Sequence, residues 1–188
     1  MNVYSIVLFL HIVGALGLFV ALGIELLTLS RLRAAGTADQ AREWLSALGS
    51  IRVIGPIALV TILLPGLYMA ATSTGWQGWN VAALGAMIVM AALGAASNAA
   101  RMPGIGRSIG PLRGALPAEM RLRLRDTFLW SSVLVRVGIA LGIVLNMTVK
   151  PDVLGAVVVL VVSAVVGGAA AYATGRSAHL LVTERSAS

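Results

Sequence analysis

Five apolar runs separated by polar connections organise the chain. They cover residues 3–29, 53–72, 81–99, 128–149 and 153–174. A helix needs roughly 20 apolar residues to cross the hydrocarbon core of a bilayer, and each run reaches or approaches that length. The pattern predicts an all-α fold: a polytopic membrane helix bundle of five transmembrane helices forming one domain over residues 1–188, with cytoplasmic connections at 30–52 and 100–127. In the connection after the first run, Asp39 is placed to cap a short interfacial helix with Trp44, Leu45 and Leu48 on its apolar side. Pro56 and Pro65 fall inside the second run, which predicts a kink near Pro65-Gly66. In the most basic connection Pro117 suits a first helical residue. From there Met120, Leu124 and Phe128 share a face, and Glu119 and Arg123 are spaced as an i,i+4 pair. That stretch is expected either to lie on the lipid surface or to be a solvated loop.

Composition agrees with the membrane assignment. The 188 residues are 59% hydrophobic and 11% charged, with a mean hydropathy of +0.94, a balance that a water-soluble domain of this size could not hide from solvent. The net charge of +7 does not point to nucleic acid, because the arginines sit in the connections between apolar runs. The two connections and the C-terminal tail hold 12 of the 14 basic residues, leaving Lys150 on the opposite side and Arg136 within a run. By the positive-inside rule this predicts the N-terminus out and the C-terminus in, in a bacterial inner membrane. The first run lacks a basic flank and is too long for a signal peptide, so it is expected to remain as a spanning helix. Cysteine is absent, which removes disulfides, thiolate metal sites and cysteine nucleophiles.

Against this background the ionisable residues inside the runs are the candidates for chemistry, since burying them in lipid is costly. His11 lies roughly 12 Å below the outer end of the first helix, and Met87 lies at the same depth on the third. A His and a Met at one level could be axial ligands of haem b or soft ligands of copper. The competing account is core packing for Met87 and Met90, and a helix-to-helix hydrogen bond for His11. Near the inner side Glu25 is expected to form a structural ion pair with Arg136 or with Arg52, and Arg136 could alternatively hold an anion such as a haem propionate or a lipid headgroup. Fourteen residues apart, His11 and Glu25 share one helix face to within about 40°. Gly14 and Ala21 make that face smooth, and Gly138-x-x-x-Gly142 on the fourth helix is expected to match it. Ser163-x-x-x-Gly167-x-x-x-Ala171 suits either a fifth-helix contact or a homo-oligomer seam.

The segment Phe9-Leu10-His11-Ile12-Val13-Gly14-Ala15, followed by Leu18-Phe19, the turn Gly66-Leu67-Tyr68 and the pair Trp76 and Trp79, resembles an uncharacterised branch of bacterial integral membrane proteins related to the copper-resistance protein CopD. A similar His-bearing first helix occurs in the HemJ-type protoporphyrinogen oxidases, which bind haem. The resemblance implies a helical bundle with His11 at a metal or haem site. Unlike HemJ-type proteins, the chain has no lysine within its helices, so that activity is not carried over. No zinc-protease, phosphate-loop or serine-hydrolase motif is present and no catalytic residue is assigned. The expected function is cofactor binding, haem b or copper, through His11 with Met87 and Arg136. The alternative is a non-enzymatic membrane module, for permeation or partner docking, in which His11 is structural.

Overall fold

The computed structural model describes the backbone of residues 2–186 and the side chains of residues 2–49 and 53–175. Among the described residues seven α-helices follow one another: α1 Val3–Ala34, α2 Ala38–Met69, α3 Gly78–Gly94, α4 Met102–Ile109, α5 Ala118–Leu124, α6 Thr127–Val149 and α7 Val153–Ser186. Two π-helical turns extend α2 over Ala70–Thr74 and α3 over Ala95–Arg101. The structure contains five helices long and apolar enough to cross a membrane, and no strand among the described residues. Large apolar side chains such as Phe9, Leu64, Ile88, Leu154 and Val165 are more than 60% exposed, a surface that only lipid tolerates.

The connection expected over residues 30–52 is instead almost entirely helical. At about 1.5 Å per residue, 32 residues span roughly 48 Å, so α1 and α2 run past the hydrocarbon layer before the chain turns. The turn needs only Ala35, Gly36 and Thr37, because Thr37 opens α2 with a reciprocal capping box. Its hydroxyl accepts from the Gln40 amide at 3.3 Å, and the Gln40 side chain accepts from Gly36 at 3.0 Å. Asp39, expected to cap, lies in the first turn of α2 and pairs with Arg42. The helix then continues through both prolines to Met69.

At this arginine-rich end connecting segments add to the core. The 110–117 segment is fixed to the α1–α2 turn by hydrogen bonds from Ala38 N to Gly114 O and from Leu116 N to Gly36 O, both 2.9 Å. Leu32, Ala38, Ala41, Ile109, Leu116 and Leu124 are buried there. Pro117 stands just before α5 rather than within it. Met120 and Leu124 of α5 are buried against the protein, so this short helix packs on the bundle end instead of floating on lipid or solvent. Its Glu119–Arg123 pair, 3.2 Å long, is exposed. At the opposite end Trp76 is exposed and the Lys150 ammonium lies 5.8 Å from the Trp79 ring.

The most extensive helix contacts are α1 on α2 and α6 on α7. Both depend on glycine. A Cβ at Gly14 would stand 2.8 Å from Ile62 N, too close for any side chain, so α1 and α2 cross backbone to backbone there. A Cβ at Gly138 would collide with the Ser163 carbonyl, and one at Gly167 with the Leu134 carbonyl. The Gly138–Gly142 face thus serves α7, not α1 as the sequence suggested, and the Ser163–Gly167 face is used within the chain. The two faces match each other because small residues meet small residues at one crossing. Asn146, fully buried, adds a 3.1 Å hydrogen bond to Ala156 O across the same pair. Replacing Gly138 by valine should therefore lower the melting temperature in detergent, with a cost of about 2–3 kcal/mol from overpacking. Gly85→Ala, where the added Cβ meets nothing within 4 Å, should leave the melting temperature unchanged or slightly raised.

Candidate functional site

Among the described residues the bundle stays open between α2 and α3. α1 packs on α2 and α6, and α3 packs on α6 and α7, but α2 and α3 make no extensive contact with each other. The result is a cleft along the bundle with α2 and α3 as its sides and α1 and α6 as its floor. His11 and Glu25 line it at different heights, as their shared helix face requires. The cleft holds two cavities, and Leu18 lines both.

The cavity nearer Trp76 has a volume of about 460 Å³ and contains His11, Met87 and Met147 in its lining. His11 Nδ1 lies 2.9 Å from the Ile62 carbonyl oxygen of α2. A carbonyl only accepts, so Nδ1–H is the donor, and a neutral imidazole then presents Nε2 as a lone pair. Pro65 cannot donate to the carbonyl four residues back, which loosens the backbone ladder beside Ile62. Gly66 completes the seat: a Cβ there would come within 3.2 Å of His11 Cε1. His11 and Met87 thus line one cavity. Among the described residues, the cavity lining carries no Lys, Arg, Asp or Glu.

Arg136 is elsewhere. It lines the second cavity, about 570 Å³, together with Glu25, Met90, Gly94 and Asn98. Glu25 is 1% exposed and Arg136 5%, and the pair is bidentate: Nη1 donates to Oε2 at 3.0 Å and Nη2 to Oε1. Arg136 Nε also donates to Ser132 O at 3.2 Å, and Nη2 to Ser97 Oγ at 3.4 Å. Such forked geometry is what a guanidinium and a carboxylate require if both are to stay charged away from water. Of the partners weighed for Glu25, Arg136 holds it; the Arg52 side chain lies outside the described residues. Ser97 was not anticipated from sequence. Its signal was the polar Ser97-Asn98 pair closing the third apolar run, and it stands in the π-helical turn three residues after Gly94.

Among the described residues no three His, Cys, Asp or Glu side chains gather as a metal cluster. No protein-family profile, curated protein or solved structure matches the chain.

Breaking the buried pair strands a charge. Glu25→Leu or Arg136→Met alone should destabilise the protein by about 3–5 kcal/mol, whereas the double variant should recover most of that loss. Thermal denaturation of the four proteins in one detergent checks this through the coupling energy.

Proposed function

We propose that this chain is a multi-pass protein of a bacterial inner membrane, oriented with its arginine-rich end toward the cytoplasm, and that it holds a copper(I) ion through His11 at the Trp76 end of the cleft. The observation that carries this reading is the His11 Nδ1 to Ile62 O hydrogen bond, because it fixes the tautomer in which Nε2 is the ligand. Met87 and Met147 line the same cavity, and soft thioethers with imidazole suit copper(I). Haem b, the other candidate, suits the residues less well. Its propionates would find no cation in the lining of that cavity, and Arg136 is already occupied by Glu25 in the other.

The same hydrogen bond supports a second reading, a non-enzymatic membrane module in which His11 only ties α1 to α2. The two diverge on metal. In the copper reading the purified protein binds one Cu(I) per chain in competition with a colorimetric chelator. His11→Ala then abolishes binding, and Met87→Leu weakens it by about tenfold or more, as loss of a ligand should. Wild-type protein that takes up neither Cu(I) nor haemin, while His11→Ala merely melts earlier, would establish the structural reading instead.

A further inference from the structure

The second cavity has a recognition chemistry of its own, independent of any metal at His11. Its walls are mostly apolar: Leu18, Leu22, Leu59, Met90 and Met102 are among them. Set into these walls is a charge pair that is already neutral as a unit. An anionic ligand would have to take Arg136 from Glu25, and a cationic one would have to take Glu25 from Arg136. Either exchange leaves a buried charge uncompensated, so the cavity selects against charged heads.

The hydrogen-bond inventory says which neutral head fits. A guanidinium has five N–H donors. Arg136 uses one on Ser132 O, two on Glu25 and one on Ser97 Oγ, which leaves one N–H on Nη1. The Glu25 carboxylate has about four lone-pair directions, and Arg136 fills one on each oxygen. A free donor therefore stands beside free acceptor capacity. A hydroxyl satisfies both at once, because it donates and accepts from one oxygen.

Access is built in as well. Gly94 lines the cavity, and a Cβ at that position would rest 3.4 Å from Arg136 Nη1; glycine leaves that nitrogen uncovered. Pro56, Ala91, Ala95 and Ala99 in the cavity lining are exposed, and they stand on the two helices that fail to close. In a bilayer that opening faces lipid.

We propose that the Glu25–Arg136 cavity binds a neutral, lipid-soluble molecule with a hydroxyl head, admitted sideways from the bilayer between α2 and α3. The head sits on Arg136 Nη1 and the Glu25 carboxylate, and the apolar body lies in the cleft.

The test uses the full chain, metal-free, in nanodiscs of phosphatidylethanolamine and phosphatidylglycerol, with a diazirine-bearing dodecanol as probe. Cross-links should concentrate in segments 48–59 and 90–102. Unlabelled dodecanol should suppress them. Dodecyl methyl ether, which cannot donate, should compete about tenfold less well, the expected consequence of losing a hydrogen bond to a charged group, and dodecanoate should compete no better than the ether. Gly94→Ala, which fits sterically but covers Nη1, and Ala95→Phe, which narrows the mouth, should each cut labelling by about tenfold at unchanged melting temperature. His11→Ala should label like wild type, so failure of the copper reading leaves this result standing. Labelling spread evenly over the lipid-facing valines of α7, equal competition by the ether, or full labelling in both cavity variants would overturn the proposal.

Discussion

A carboxylate and a guanidinium placed in hydrocarbon must find each other, and that requirement fixes how the first spanning helix meets the helix that starts at Thr127. Glu25 and Arg136 are 111 residues apart in sequence and both nearly fully buried. Left alone, either would carry a desolvation cost of several kcal/mol, so any arrangement of the bundle that separates them is penalised. Two forked hydrogen bonds also set the height and rotation of the helices. Ser132 O and Ser97 Oγ take further guanidinium donors, which draws the end of α3 into the same network. The pair thus pins α1 to α6 in one register.

Glycine decides what happens around the pin. Close backbone approach at Gly14 locks α1 to α2, and at Gly138 and Gly167 locks α6 to α7. With those four helices taken in pairs, α3 is held by α6 and α7 and stands off from α2. The cleft lies between α2 and α3, which make no extensive contact among the described residues. Its two cavities differ in chemistry although one face of α1 supplies both. At one level a histidine with a fixed tautomer shares a cavity with thioethers; at the other an ion pair with one guanidinium N–H to spare sits in an apolar wall.

The arginine-rich end is structured by the same economy of partners. Arg101 pairs with Asp126 at 2.8 Å and lies 4.2 Å from the Phe128 ring, while Arg33 lies 4.9 Å from the Trp130 ring. Aromatic faces accept these cations where the chain leaves the lipid. The α1–α2 hairpin is long enough to carry the turn beyond the hydrocarbon layer. There α4, α5 and the 110–117 segment bury Ile109, Leu116 and Leu124.

Much of this was legible in the residues because lipid leaves the backbone few choices. Run length alone determined five helices, and helical rise alone put His11 level with Met87 and Glu25 within reach of Arg136. Helix ends were less legible. Hydropathy falls where a helix leaves the membrane, not where it stops, so residues 38–52 read as a connection holding a short interfacial helix rather than as the start of α2, and the Thr37–Gln40 box outweighed Asp39 as the cap. Which smooth helix face meets which was not legible. Smooth faces on α1, α6 and α7 are interchangeable in sequence, and only the assembled bundle assigned Gly14 to α2 and Gly138 to α7. Arg136 stands between these cases: Glu25 was legible as its partner beside the alternative Arg52, whereas Ser97 and Ser132 O as its further acceptors are set by packing. Local sequence determines which groups cannot be left exposed to lipid; the tertiary structure decides which of the equivalent surfaces covers each, because that depends on contacts between segments far apart in the chain.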